Sequence, residues 1–250
     1  MGVLTLNSIR VRFTRGEEIK FISHLDLMKV FERAIRRSGL PISYSQGFNP
    51  HPQMVFGLPL SVGVTSNGEY ADFEMAKDTR PEHFMDILNR TMPDGIRITA
   101  AAEKCTKTNI MASVTAADYE LDIFLNKEMS LEEANYKLEQ LMKMECIKVL
   151  KEGKGTAKEM DIRPLILEAR FEQIEKVPFG YEAYPSAFTA LTRFSAGSAS
   201  NLRPELFIKA LVEYAGIMAV TSRLHRKALY VEKNGELKDP IDSSILECSK

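Results

Sequence analysis

Cysteine is scarce in this chain. Cys105, Cys146 and Cys248 are three in number, widely spaced and without a CxxC pair. An odd, scattered set argues against a disulfide framework, a zinc finger and a cysteine-ligated iron–sulfur cluster, so buried or incidental thiols are expected. Long apolar runs are missing too. Stretches such as Ile217–Val220 and Leu165–Leu167 fall far short of the ~18 residues a spanning helix needs, and no membrane segment is expected. The first residues, MGVLTLNS, have no basic region leading into an apolar core and the last, ECSK, form no prenylation box, so a cytoplasmic protein is expected. Net charge is −1, so no global field recruits a polyanion, and any such binding must come from a local patch. Catalytic motifs are absent as well. There is no GxSxG or HExxH, and KEGKGTAKEMDIRP (151–164) fails P-loop spacing because Gly155 follows Lys154 where Ser or Thr is required.

What is present is the balance of an ordinary globular protein, 44% hydrophobic and 27% charged over 250 residues. Residues 8–14, IRVRFTR, alternate as a half-buried strand does. Ser23, with Asp26 three residues on, caps a helix over 24–38 that Gly39-Leu40-Pro41 stops. Strands are expected at 42–45, 54–60, 68–76 and 96–104, with a helix from Arg80-Pro81 to about Met92. Small polar residues at 105–117 suggest a linker. The order then repeats: a strand at 115–125, a Ser130/Glu133 capping box opening a helix, strands near 146–152, 162–173 and 187–194, a helix from Pro204, and a hairpin about Asn234-Gly235. The expected fold is α+β: two tandem ferredoxin-like (βαββαβ) halves, 1–107 and 108–250, with 153–186 as an insertion in the second.

Three constellations could carry chemistry. On the 24–38 helix, Lys29, Arg33, Arg36 and Arg37 share the side opposite the apolar stripe of Met28, Phe31 and Ile35. Residues 8–37 hold eight cations against four carboxylates. A solvated face explains such a pattern; so does contact with a phosphate backbone. The loop YSQGFNPHPQ (44–53) follows, where Pro50 and Pro52 stiffen the chain about His51 and Gln46, Phe48 and Asn49 offer amide edges and an aromatic face of the kind that reads single-stranded RNA. Packing alone would also account for a stiff loop. His24 shares the angular face of Met28 and Phe31, which favours a core or cap role; if it met His51 the two could act as acid and base. A metal site would need a third ligand, and His83 and His225 stand in unrelated contexts, so no metal is expected. Finally FSAGSASNLRP (194–204) feeds Ser198, Asn201 and Arg203 into a helix start, an arrangement that holds phosphate or serves as a plain cap.

The run RFTRGEEIKFISHLDLMKVFERAIRRSGLPISYSQGFNPHPQMVFGLPLSVGVTSNGEYADFEM (12–75), with KEMDIRPLI (158–166) and GSASNLRPEL (197–206), resembles a bacterial family of radical-SAM-linked proteins, in which this domain stands beside or behind a radical S-adenosylmethionine enzyme. The resemblance implies a radical-SAM enzyme as partner. The CxxxCxxC of such enzymes is absent here, so S-adenosylmethionine and an iron–sulfur cluster would belong to that partner, and no cofactor is expected in this chain. More loosely, the tandem reading is similar to the RNA-binding repeat-processing proteins of CRISPR systems. Three functions are compatible with these residues: an accessory module holding tRNA or rRNA for a radical-SAM partner, a metal-independent RNA-cleaving enzyme using His24 and His51, or a protein-interaction scaffold docking through the 130–144 helix and the 44–60 loop. Without a complete catalytic set, the chain is not expected to be an enzyme by itself.

Overall fold

A computed structural model describes residues 7–151 and 158–248. The fold is mixed α+β, with antiparallel sheet pairing and six α-helices among those residues. Two compact units divide the chain. Unit 1 takes residues up to Ala116 together with those from Ala228 on, and unit 2 is Ala117–Lys227. The division differs from the 107/108 boundary read in the sequence, because the last part of the chain belongs to unit 1. Residues 105–117 are no linker either: Ile110 is buried, and its N–H donates to the carboxylate of Asp72 at 2.9 Å.

In unit 1 the elements run β1 (Ser8–Arg15), α1 (His24–Ser38), β2 (Met54–Phe56), β3 (Thr65–Glu74), α2 (Pro81–Asn89), β4 (Ile96–Lys104) and the short α3 (Ile110–Ser113). β1 lies between β4 and β3, Val11 standing opposite Ala101 and Ala71, and β2 adds antiparallel to β3 with Val55 opposite Asp72. Expected strand 42–45 is reduced to single bridges, Ile42 to Met75 and Tyr44 to Pro52, because its backbone groups bond alternately to β3 and within the loop. α1 begins where the Ser23 hydroxyl accepts from the Asp26 N–H at 3.1 Å and ends at Gly39, whose φ of 68° is left-handed and open to glycine at little cost. Leu27, Phe31, Ala34 and Ile35 face inward. Phe31 is the hub of the core, its ring 5.0 Å from Phe13 and from Phe56 and 6.1 Å from Phe73. Burial of each such side chain stabilises by roughly 1.5–3 kcal/mol.

The alternation of β1 sends Ile9, Val11 and Phe13 to this core and Arg10 and Arg12 to the other face. Arg10 is fully buried. Its guanidinium grips both oxygens of Asp72 at 2.7 and 3.0 Å and donates to the Pro240 carbonyl at 3.1 Å, with Lys104 3.9 Å from the same carboxylate. Arg12 pairs with Asp239 at 3.6 Å. Arg15 is buried as well and donates to the backbone carbonyls of Leu60, Lys20 and Ile22. The eight cations counted in the sequence are therefore not eight surface cations: β1 spends its three internally.

Unit 2 comprises most of β5 (Val114–Leu125), α4 (Leu131–Met142), β6 (Lys148–Lys151), β7 (Lys158–Asp161), β8 (Ile166–Gln173), β9 (Ser186–Ser195), α5 (Pro204–Ala215) and the first part of β10 (Ala219–Lys233). Its strands lie in the order β10-β5-β9-β8, while β6 and β7, among the described residues, pair only with each other, Lys148 opposite Asp161. The Ser130 cap is as expected, accepting from the Glu133 N–H at 3.1 Å. Past β10, the turn at Asn234-Gly235, with φ of 56° and 79°, leads to β11 (Glu236–Lys238), and α6 (Ser243–Leu246) follows in unit 1. In both units an asparagine on a helix grips an edge strand by its backbone: Asn89 bonds both N–H and C=O of Ile98 on β4, and Asn135 those of Phe171 on β8. Such grips occupy edge groups that would otherwise invite foreign strands.

One expectation about cysteine is overturned. Cys105 and Cys248, 143 residues apart, form a disulfide with Cα atoms 5.0 Å apart, and only Cys146 is a free, exposed thiol. Sequence separation concealed the pair, because only the folding of unit 1 brings the end of β4 to the segment after α6.

Candidate nucleic-acid interface

The outer face of α1 follows from its inner one. With Leu27, Phe31, Ala34 and Ile35 buried, Lys29, Arg33, Arg36 and Arg37 turn to solvent. Lys29 makes a 3.4 Å pair with Asp26 in the first turn, and Arg37 donates to the Thr91 carbonyl at 2.6 Å. Arg33 and Arg36 make no ion pair or hydrogen bond among the described residues. Two guanidinium groups thus stand in water beside a weakly paired lysine, each retaining a planar fork suited to phosphate oxygens.

The 44–53 loop borders this face. It is closed at its base by the Ser45 N–H donating to the His51 carbonyl at 2.9 Å and the His51 N–H donating to the Ser45 hydroxyl at 3.0 Å. Gly47, at φ 134°, makes the bend that few other residues would adopt. At the tip Gln46, Phe48 and Asn49 are exposed, and Phe48 has no cover at all, at 107% relative exposure. His51 Nδ1 lies 3.7 Å from the Glu32 carboxylate, and Glu32 precedes Arg36 by one helical turn. Glu32, in sequence terms one more charge on a helix, is what ties the loop to the cationic face.

The same contact separates the two histidines. His24 is half-buried, its ring edge-to-face with Phe56 at 5.8 Å, and burial, with a smaller contribution from Arg15, pulls its pKa below the ordinary value against the opposing pull of Glu69. Glu32, which His51 approaches, comes eight positions after His24 along α1, roughly 12 Å of rise. An acid–base pair needs its members within reach of one substrate proton relay, whereas His24 opens α1 against Phe56 and His51 approaches Glu32 near the middle of that helix. Among the described residues no three His, Cys, Asp or Glu side chains gather as a metal site, and no helix is long and apolar enough to cross a membrane.

In unit 2 the two remaining family-like stretches converge. Met160, Asp161 and Leu165 from one, and Ser198, Asn201 and Arg203 from the other, line an open groove of about 640 Å³ with Lys151 at its side. The first stretch builds the wall. Asp161 accepts from the N–H groups of Ile147 and Arg163 at 2.9 and 3.0 Å, which hold its carboxyl below the usual range, and Arg163 donates to the carbonyls of Met142 and Ile166. The second stretch supplies the polar floor. Leu202 is buried and its N–H bonds back to Ser195, Gly197 turns at φ 148°, and Arg203 precedes α5 without a side-chain cap on the helix. Arg203 Nε is buried without a hydrogen-bond partner among the described residues. A buried donor left unmatched costs about 1–3 kcal/mol. Lys151, Met160, Asp161 and Leu165 were not legible as groove residues, although the KEMDIRPLI stretch pointed to them. Residues 152–157, with the Gly155 step of the failed P-loop pattern, lie outside the described residues.

Over residues 8–204 the chain matches the family described as "Uncharacterized protein conserved in bacteria (DUF2344)", and it belongs to that family. No curated protein matches it. Among solved structures, a chain of the "Crystal Structure of a Cbf5-Nop10-Gar1 Complex" is 11% identical at a TM-score of 0.46, over 91% of this chain and 50% of that one. The present chain thus spans about half the length of that neighbour. "Ferric DtpA from Streptomyces lividans" is 13% identical at 0.26, over 97% and 93%, and a "Cas6 substrate mimic complex" is 13% identical at 0.20, over 88% and 98%. Likenesses this remote say nothing about activity.

Proposed function

We propose that this member of the family is an accessory RNA-binding module, acting on tRNA or rRNA in the cytoplasm beside a radical-SAM enzyme. The observation that carries the reading is the outer face of α1, where Lys29, Arg33 and Arg36 stand exposed beside a stiff loop whose tip holds an uncovered Phe48. Cations that neutralise phosphates release counterions, and an aromatic face stacks any base, so this pairing of features suits an unstacked RNA strand. The unit 2 groove, with Ser198, Asn201, Arg203 and Lys151, is a second phosphate contact in this reading. The radical-SAM partner rests on the sequence resemblance alone, and S-adenosylmethionine and the cluster would be held by that partner. RNA cleavage by His24 and His51 gains no support from their separation along α1.

We also read each unit as a ferredoxin-like half. The orders β4-β1-β3-β2 and β10-β5-β9-β8, each built from a β-α-β-β-α-β succession, support that reading, with β6 and β7 inserted in the second. The binding claim is tested by fluorescence anisotropy with labelled total tRNA and rRNA fragments at low salt. The native chain should bind, and the Lys29→Glu/Arg33→Glu/Arg36→Glu protein should bind about a hundredfold or more weakly. A native chain that binds neither RNA, or a variant that binds as well, would remove the proposal.

A further inference from the structure

Within unit 1, and among the described residues, α1 and α2 pack on the face of the sheet that holds Ile9, Val11 and Phe13, and the other face has neither. It carries Arg10, Arg12, Tyr70 and Asp72, yet Arg10, Tyr70 and Asp72 are buried. Two thin segments do the covering. Residues 105–113 place the Ile110 N–H on the Asp72 carboxylate at 2.9 Å. Residues 239–248 set the Pro240 carbonyl on Arg10 at 3.1 Å and the Asp239 carboxylate on the Tyr70 hydroxyl at 3.0 Å and on Arg12. The N–H groups of Cys105 and Thr106 both donate to the Leu246 carbonyl, at 3.0 and 2.9 Å, and a cavity of about 310 Å³ has Thr106 and Ser113 of one segment, Ile245 and Glu247 of the other, and Val231 of β10 in its walls. The Cys105–Cys248 disulfide joins these two segments to each other. Cys105 is exposed and Cys248 only half-covered, so a soluble thiol can reach the bridge.

We propose that Cys105 and Cys248 are a thiol–disulfide switch, a modification site for low-molecular-weight thiols and disulfides, that fastens and releases this two-segment cover. In the opening direction the thiolate of a small thiol attacks the Cys105 sulfur, a mixed disulfide forms and the Cys248 thiolate leaves. A second small thiolate then attacks the mixed disulfide, releasing the Cys105 thiolate and the small disulfide; two protons from solvent restore both thiols. Two electrons pass from the small thiols to the protein. Closing is the reverse, with a small disulfide as oxidant. Once protonated, the Cys248 thiol has an acceptor at hand in the Glu103 carbonyl, 3.3 Å away. With the bridge open, the cover is held by the burial of Ile110, Ile245 and Leu246, by hydrogen bonds and by the pairs of Asp239 with Arg12 and Glu247 with Lys233, so the segments open more often while the helical core beneath Phe31 does not.

The test equilibrates the full chain, carrying Cys146→Ser, with glutathione buffers swept from reduced to oxidised, and reads the bridge by thiol alkylation and mass spectrometry. Hydrogen exchange is then followed in both end states. The switch predicts a reversible transition within the sweep and about tenfold faster exchange at 105–113 and 243–247 in the reduced state, with α1 and α4 unchanged. Cys105→Ser and Cys248→Ser should each show the reduced pattern in every buffer; should either variant fail to fold, the native chain in its two states decides. A bridge that stays closed throughout the sweep, two cysteines that form separate mixed disulfides without an internal bridge, or exchange that is equal in both states would each overturn the proposal.

Discussion

α1 and α4 are the first long helices of their units, and they are built alike on the inside. Each opens on a serine cap accepting from the N–H three residues on, and each buries an apolar stripe, Leu27, Phe31 and Ile35 in one case, Ala134, Leu138 and Leu141 in the other. Outside they differ in sign. α1 carries four cations against Asp26 and Glu32, while α4 carries Lys137 against Glu132, Glu133 and Glu139. α4 also settles its charges by its own spacing, Lys137 on Glu133 at 3.2 Å and Lys143 on Glu139 at 2.8 Å, each at i,i+4. Arg33 and Arg36 form no such pair among the described residues, the Glu32 one turn before Arg36 lying instead beside His51. α4 shows a helix face in this chain with its charges paired; in the proposed reading the unpaired guanidinium groups of α1 meet phosphates outside the chain.

The comparison can be broken from the inside first. Phe31→Ala should destabilise unit 1 by about 3–5 kcal/mol in urea unfolding, since three aromatic rings are deprived of their common neighbour. It should weaken RNA binding with it, because the cationic face and the loop no longer have their seat. Leu138→Ala should cost about 2–5 kcal/mol in unit 2 and leave RNA affinity alone where the chain stays folded. Equal weakening of RNA binding by both would mean that α1 has no special part.

A smaller effect is expected at the loop tip. Phe48→Ala should leave thermal stability unchanged, because the ring covers nothing, and lower affinity for single-stranded RNA by about 5- to 100-fold, the worth of one stacked base. An unchanged affinity would reduce the loop to packing.

The smallest effect is a slope in pH. Burial pulls the His24 pKa below its unfolded value, so the unfolded chain binds the proton first. Stability contributed by neutral His24 is complete above pH ~6.5 and is lost as pH falls through the lowered folded pKa. Urea midpoints taken across that window should decline toward acid in the native chain and decline less in His24→Gln; identical pH profiles would show that the ring's burial has no consequence.

How far all this could be read in the sequence depended on range. α1 was legible to the residue, because Ser23, the apolar spacing and Gly39 act within a few positions of the helix they define. The strand at 96–104 and the turn at Asn234-Gly235 were legible for the same reason. Arg10 and Arg15 were not, since alternation shows which face a side chain takes but not that Asp72, in a strand far along the chain, waits for the one and the Leu60, Lys20 and Ile22 carbonyls for the other. The segment 105–117 resembles a linker in sequence because its one large early anchor, Ile110, stands among small polar neighbours, and the buried Val114, Ala116 and Ala117 already belong to β5. Of the interface, the cations and the stiff loop could be seen separately; the His51–Glu32 contact that sets them side by side, and the groove that joins 158–166 to 197–206, exist only in the fold.

The central claim is that cations on α1 contact phosphates, and it is tested most directly by the dependence of RNA affinity on salt. The account predicts a linear fall of log affinity with log salt in the native chain. The slope should be shallower by roughly 2–3 in Lys29→Gln/Arg33→Gln/Arg36→Gln, at about 0.7–0.9 for each phosphate that is no longer neutralised, and unchanged in a matched Glu132→Gln/Glu133→Gln/Glu139→Gln protein. The same slope in all three proteins would contradict it.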